Sequence, residues 1–172
     1  MTDQIDVLTR IAAALERLAP PPAPAADWLA HPAYVWTGSE ARAVPVLEAP
    51  ALTMLRGIDA QKERVVTNVE RLAQGHAAHD MLLWGSRGMG KSAVIRAAIR
   101  AAQDLHPGRI ALVQVAQEAL HGVTALFALL ARVDRQFLVY IDDLGFEEGD
   151  GTGPRLLLSL IHISEPTRPR LI

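Results

Sequence analysis

Apolar residues recur at steps of three and four in two stretches of the chain, which is the spacing of an amphipathic helix. The first stretch covers residues 4–19, and its apolar positions are Ile5, Leu8, Ile11, Leu15 and Leu18. The second covers residues 61–74, with Asp59 as its predicted N-cap and Gly75 at its end. We expect the first helix to pack on the rest of the protein; its apolar stripe could instead serve as a short oligomerisation seam.

From residue 80 onward, short apolar runs alternate with longer stretches of helix-forming residues. The expected order is a strand at 80–84, a helix at 91–104, a strand at 110–115, a helix near 117–132 and a strand at 137–142. This βαβαβ order predicts an α/β fold in which helices cover both faces of a parallel sheet.

A region rich in proline and alanine separates the first helix from this alternating part. Residues 20–24 contain four prolines and predict a stiff, extended linker. Residues 27–50 carry Trp28, Tyr34 and Trp36 between further prolines. We expect an irregular extension whose aromatic side chains cover the core of the alternating part, with a docking surface as the alternative.

Composition narrows the class of protein. A chain of 172 residues that is 50% hydrophobic can bury one core, and a net charge of −2 gives no basic surface for nucleic acid. The absence of cysteine excludes disulfides and thiolate metal sites, and the six histidines are scattered. The N-terminus lacks a signal peptide's apolar segment, and no apolar run approaches the length of a membrane span. We therefore expect a cytoplasmic protein without a membrane partner.

Eight consecutive residues match G-x-x-x-x-G-K-[ST], the pattern of loops that bind nucleotide phosphates. They are Gly85, Ser86, Arg87, Gly88, Met89, Gly90, Lys91 and Ser92. The glycines let the backbone turn its N–H groups onto the phosphates, and Lys91 supplies a cation for the β- and γ-phosphate oxygens. Ser92 offers a hydroxyl to the Mg²⁺ that bridges them. A strand before the loop and a helix after it would complete the setting that the motif needs.

A second candidate element follows the last apolar strand. Residues 138–141 are apolar and end in Asp142 and Asp143, which resembles a Walker B element. Ligands of parallel sheets bind at the carboxyl ends of the strands, so these acids would face the phosphate loop. Asp142 would hold Mg²⁺ through a water, and Asp143 would polarise the attacking water as a general base. Glu147 and Glu148 follow closely and could assist, although acids after a strand are by themselves more typical of a turn or an N-cap.

Three segments are similar to the bacterial AAA+ ATPase family called domain of unknown function 815. They are residues 57–63 (GIDAQKE), 82–92 (LLWGSRGMGKS) and 142–150 (DDLGFEEGD), and the resemblance covers roughly residues 50–157. It implies an AAA+ core that binds ATP with Mg²⁺ and hydrolyses it, with residues 57–72 approaching the adenine. Our leading hypothesis couples this hydrolysis to remodelling of an unknown protein partner, by a homo-oligomeric ring or partial ring.

Two other functions fit parts of the same pattern. The phrase Asp-Asp-Leu-Gly at residues 142–145 is also similar to helicase loaders and transposition helper ATPases. Those proteins act on DNA-bound partners, which the near-neutral charge disfavours. A nucleotide-gated adapter would bind ATP and hydrolyse little of it. The second acid, Asp143, favours an enzyme over an adapter because a protein that only binds nucleotide does not need it.

The C-terminal segment is unlike the rest of the chain. Residues 158–168 (LSLIHISEPTR) resemble the translation of a sequencing adapter, so we expect the native sequence to stop near Leu157. The predicted division is a helix at 1–19, a linker and aromatic extension at 20–50, the first part of an AAA+ nucleotide-binding domain at 51–157, and a non-native tail at 158–172. An AAA+ module continues to a sensor strand and an arginine finger. Without the later strands we expect the sheet to keep an unpaired edge and the chain to be unstable. We expect ATP binding by the intact fold, and no competent hydrolysis by these 172 residues.

Overall fold

The computed structural model describes residues 26–84 and 88–141, together with Ile5, Val7, Arg10 and Ile11. In these ranges the strands are β1 (Ala33–Trp36), β2 (Ala41–Val44), β3 (Ile110–Val115) and β4 (Gln136–Ile141). The α-helices are α1 (Asp59–Ala73), α2 (Lys91–Leu105) and α3 (Val123–Leu130). Short 3₁₀ helices cover Leu52–Met54 and Gln117–Gly122.

The four strands form one mixed sheet in the order β2-β1-β3-β4. The pairs β1–β3 and β3–β4 are parallel, whereas β1 and β2 are antiparallel. The prediction of a parallel sheet is therefore wrong at this edge. The reason is the four-residue turn between β1 and β2, in which the Thr37 N–H donates to the Glu40 carbonyl over 3.0 Å. A turn this short can join only antiparallel strands.

Strand β1 lies in the segment that was predicted to be irregular. Its side chains Tyr34 and Trp36 are almost completely buried, so the aromatic residues do cover the core, but from within the sheet. The run Ala33–Trp36 has the aromatic and β-branched composition of a strand. Neighbouring prolines at positions 32 and 45 concealed this signal, because proline usually ends regular structure.

Residues 80–84 form no strand, contrary to the prediction. Both sides of β3 are occupied, one by β1 and the other by β4. The 80–84 segment has no ladder partner among the described strands, and a strand without a partner leaves its backbone groups unpaired. Leu82 and Trp84 of this segment are 61% and 87% exposed, whereas Met81 and Leu83 are partly buried against the apolar core.

The other elements downstream of residue 90 agree closely with the predictions. The helix expected at 91–104 is α2, and the strands expected at 110–115 and 137–142 are β3 and β4, displaced by one residue at most. The helix expected near 117–132 is divided into a 3₁₀ helix and α3, which meet at Gly122. Two apolar clusters lie on opposite faces of the sheet, one against α1 and α2 and the other against α3. The prediction of helices on both faces is confirmed.

The N-terminal helix is described at four positions only, and all four are helical. Ile5 and Ile11 belong to the predicted apolar stripe and are 61% and 50% exposed. Leu8, Leu15 and Leu18 lie outside the described residues, as does the predicted tail at 158–172. Both interpretations of the stripe therefore stay predictions.

A buried clamp holds the segment before β1 at the amino ends of the parallel strands. The Arg135 guanidinium donates to the carbonyls of Trp28, His31 and Ile110 over 3.0, 2.8 and 3.1 Å. The Tyr34 hydroxyl donates to the Asp27 carbonyl and accepts from the His31 N–H. Burial raises the pKa of Tyr34 and lowers the pKa of Arg135. Because these groups lie at the amino edge of the sheet, their shifted pKa values reflect structural burial.

Two glycines allow the β1–β2 turn to lie directly on the 3₁₀ helix before α3. A Cβ atom added to Gly122 would lie 1.9 Å from the Gly38 carbonyl oxygen. A Cβ on Gly38 would lie 2.9 Å from the His121 ring, and Gly38 itself has a φ of 106°. The backbone approach at Gly122 therefore leaves no room for any side chain.

We expect Gly122→Ala to lower the free energy of unfolding by about 3 kcal/mol or more, because only backbone movement can relieve the collision. Urea denaturation measures it. Gly108→Ala is the matched control, since its new Cβ meets nothing within 4 Å but its φ of 74° is unfavourable for alanine. That control should lose about 1–2 kcal/mol. A Gly122→Ala variant that is as stable as the Gly108→Ala variant would contradict the collision.

Candidate functional site

The phosphate-loop motif leads directly into helix α2. Gly88 and Gly90 have φ angles of 83° and 84°, in the left-handed region that glycine adopts without strain. Among the described residues, no heavy atom lies within 4 Å of an ideal Cβ at either position. Gly90 is the N-cap of α2, and its carbonyl accepts the first helical hydrogen bond from Val94 over 2.9 Å. Gly85, Ser86 and Arg87 lie outside the described residues.

Helix α2 packs against the core through its apolar face, and its first turn carries the candidate site residues Lys91 and Ser92. The buried side chains of this face are Val94, Ile95, Ala97, Ala98, Ile99 and Ala102. Lys91 and Ser92 occupy the first two helical positions and are half-buried, while Met89 just before them is 63% exposed. The N-terminus has no side-chain cap and no acid in its first turn. Its N–H groups and positive dipole end are therefore suited to an anion.

A side-chain hydrogen bond connects the start of α2 to the end of β4. The Ser92 Oγ lies 3.0 Å from the Tyr140 hydroxyl oxygen, across 48 residues of sequence. Tyr140 is the penultimate residue of β4, and its ring packs with the cluster on the α1 and α2 face. Helix α2 and strand β4, which precedes the predicted acids, therefore meet at the carboxyl ends of the parallel strands.

The predicted acids themselves lie beyond the described residues. Asp142 and Asp143 follow β4 directly, and Glu147 and Glu148 come a few positions later. The carboxyl ends of β1, β3 and β4 lie at the same end of the sheet because these strands are parallel. Gln114 of β3 is the register partner of Tyr140, which adds a polar residue to this end. The structure therefore describes residues 88–92 of the phosphate loop and the strand β4 that precedes the acids.

Helix α1 holds the segment that approaches the phosphate loop. The Asn68 side-chain amide donates to the His79 carbonyl over 2.6 Å, and its oxygen accepts from the His79 N–H over 2.8 Å. The Arg71 Nε also donates to the Ala77 carbonyl over 3.1 Å. Asn68 is buried, and these two hydrogen bonds satisfy its amide.

The start of α1 differs from the prediction. Asp59 is the first helical residue, whereas Ile58 is the N-cap and provides no side-chain hydrogen bond. The Asp59 carboxylate instead accepts from the Lys62 Nζ over 2.7 Å. The same ammonium donates to the Leu55 carbonyl over 3.1 Å, which ties residues 52–55 to the helix. The hydrogen-bond partner of Asp59 is therefore the Lys62 ammonium and not a backbone N–H of the first helical turn. Gly75, with a φ of 77°, ends α1 as predicted.

Two groups that position the site have no recognisable motif. Tyr140 reads as one more apolar residue of a buried strand, and Asn68 reads as a polar interruption in α1. A polar residue on the apolar side of a helix was the only available signal for Asn68, because a buried amide requires partners. Within the described ranges, no group of three or more His, Cys, Asp or Glu residues could hold a metal ion. No described helix is long and apolar enough to cross a membrane.

The described residues define a mixed α/β protein in which the glycine-capped helix α2 meets strand β4 at the carboxyl ends of the parallel strands. A family model described as protein of unknown function (DUF815) matches residues 29–169, most of the chain, and the chain belongs to this family. The match begins before β1, earlier than the expected start near residue 50. It also passes Leu157 into the predicted non-native tail, whose origin stays a prediction. Comparisons with curated proteins and with solved structures gave no match.

Proposed function

We propose that this protein is a P-loop ATPase of the AAA+ type, which binds ATP with Mg²⁺ and couples hydrolysis to remodelling of a protein partner. The observation that carries the proposal is the 3.0 Å contact between Ser92 and Tyr140. It joins the last residue of the phosphate-loop motif to the strand that leads into Asp142 and Asp143. The two motifs were recognised separately, and phosphate binding with metal-assisted hydrolysis needs both in one place.

The described part of the loop fits a triphosphate. Gly88 and Gly90 adopt left-handed backbone angles, and no described residue fills the space where a Cβ would lie, which favours close approach of a phosphate group to the backbone. The start of α2 carries Lys91 and lacks any acidic residue in its first turn. An ammonium group and the positive dipole end of a helix together favour a dense negative charge. We propose that all eight residues of the motif, 85–92, bind the phosphates.

The donor set also fits Mg²⁺, which prefers oxygen ligands and retains several waters. Ser92 would supply a hydroxyl, and Asp142 would act through a water. Side chains of β4 alternate between the two apolar clusters, with Leu138 and Tyr140 on the face of Ser92. When bound, the cation neutralises charge on the β- and γ-phosphate oxygens.

Asp143 is the proposed general base for the attacking water, and Lys91 the group that stabilises charge on the transferred phosphoryl. A carboxylate can accept the water's proton only when it lies within hydrogen-bond reach of that water. The partner is a protein of unknown identity, and a homo-oligomer in the cytoplasm is the form we propose.

Calorimetric titration of the chain with ATP tests the proposal. We expect saturable binding at a stoichiometry near one, at least about tenfold tighter with Mg²⁺ than with EDTA. Adenosine should bind far more weakly because it lacks the phosphates that the loop would hold. Equal affinities for adenosine and ATP, or no binding of ATP at all, would contradict the proposal.

A further inference from the structure

Tyr140 places its hydroxyl at the group proposed to bind the metal. Its ring is packed in the cluster between the sheet and helices α1 and α2, and its backbone pairs with Gln114 in the β3–β4 ladder. The ring and the strand together restrict where the hydroxyl can lie. Ser92 is equally restricted at its backbone, because α2 buries its apolar face against the same cluster.

The remaining freedom at this contact is the rotation of the Ser92 side chain. A serine hydroxyl has three staggered positions, and only some of them point at a given metal. The oxygen-to-oxygen distance of 3.0 Å lies within the range of an O–H···O hydrogen bond. The bond therefore selects one position of the Ser92 hydroxyl before any ligand arrives.

The roles of donor and acceptor follow from acidity. A phenol, with a pKa near 10, is a much stronger acid than an aliphatic alcohol, so the favoured arrangement has Tyr140 donating and Ser92 accepting. A serine oxygen carries two lone pairs and one O–H. Accepting from Tyr140 occupies only one of those lone pairs. The hydrogen bond is thus compatible with metal coordination by Ser92.

We propose that Tyr140 is a positioning residue that orients the Ser92 hydroxyl for Mg²⁺, an inference that rests on the proposed function. In this role the Tyr140 hydroxyl acts through the metal ligand Ser92 and not through the phosphates. Its removal therefore weakens only the part of ATP affinity that depends on the metal. A purely structural role would instead change ATP affinity equally with and without Mg²⁺.

The test is ATP titration of four variants of the chain, each in Mg²⁺ and in EDTA. For Tyr140→Phe we expect the Mg²⁺-dependent gain in affinity to fall by about twofold to tenfold, with affinity in EDTA unchanged. Ser92→Ala should lose most of the gain. The double variant should match Ser92→Ala, because Tyr140 acts through the serine oxygen. Tyr34→Phe is the matched control: it also loses a tyrosine hydroxyl, but one that contacts residues 27–31 at the other end of the strands.

The results distinguish failure of the positioning role of Tyr140 from failure of the proposed function. The positioning role is overturned if Tyr140→Phe keeps the wild-type Mg²⁺-dependent gain in ATP affinity. It is also overturned if Tyr140→Phe lowers this gain equally in the presence of Ser92 and in the Ser92→Ala background. Both results leave the proposal of ATP binding intact. A loss of the same size in Tyr34→Phe overturns it as well, because the effect would then follow from altered stability. A wild-type chain that binds no ATP overturns the proposed function and this inference with it.

Discussion

Lys91→Ala is expected to weaken ATP binding by about 100-fold or more, the largest effect of any single substitution in the chain. The Lys91 ammonium would contact both β- and γ-phosphate oxygens, and hydrogen bonds between charged groups contribute about 1.5–3 kcal/mol each. Alanine is the strongest helix former, so the first turn of α2 should remain helical. Calorimetric titration with Mg-ATP measures the loss, and circular dichroism checks that the fold is retained.

The matched control removes the same charge from the same helix. Arg100 lies about 14 Å further along α2, with its Nε 3.2 Å from the Asp104 carboxylate. Arg100→Ala should change ATP affinity by no more than about twofold, because the loss of one exposed ion pair is a small effect. If Lys91→Ala bound ATP within threefold of the wild type while folded, the assignment of the phosphate loop would be wrong.

The second large effect is expected in hydrolysis. In the full-length natural protein, Asp143→Asn should lower phosphate release from Mg-ATP by about 100-fold or more, the usual contribution of a general base. Asparagine keeps the size of the side chain but cannot accept the proton. Binding of ATP should stay within about threefold of the wild type. Steady-state phosphate release at saturating ATP is the measurement.

Asp104→Asn is the control for this substitution. Asp104 is exposed in the last turn of α2, far from the loop, so its loss should leave phosphate release unchanged. Unchanged release in Asp143→Asn would contradict the general-base role. A wild-type protein that binds Mg-ATP but releases no phosphate would favour the nucleotide-gated adapter over the enzyme.

Elements whose signal is local were predicted well. Helix α2 and strands β3 and β4 combine continuous apolar or amphipathic patterns with clear boundaries, and each was found within one residue of its expected range. The Gly-rich loop before α2 was equally recognisable, because its spacing depends on backbone angles that glycine adopts most easily.

Features that depend on distant partners were not predictable in the same way. Strand β1 pairs with one side of β3, and residues 80–84 have no ladder partner among the described strands. Asp59 binds a lysine ammonium that the capping rule does not consider. The contact between Ser92 and Tyr140 spans 48 residues and involves a tyrosine that the sequence pattern marks only as apolar. Pairing across such separations follows from tertiary packing.

The measurement that tests the central claim most directly is the backbone amide NMR spectrum of the chain during titration with Mg-ATP. We expect the amide signals of Gly88, Gly90, Lys91 and Ser92 to shift most, because their N–H groups would face the phosphates. Adenosine at the same concentration should leave these four signals in place. Binding of Mg-ATP that leaves them unchanged and shifts amides elsewhere would contradict the account.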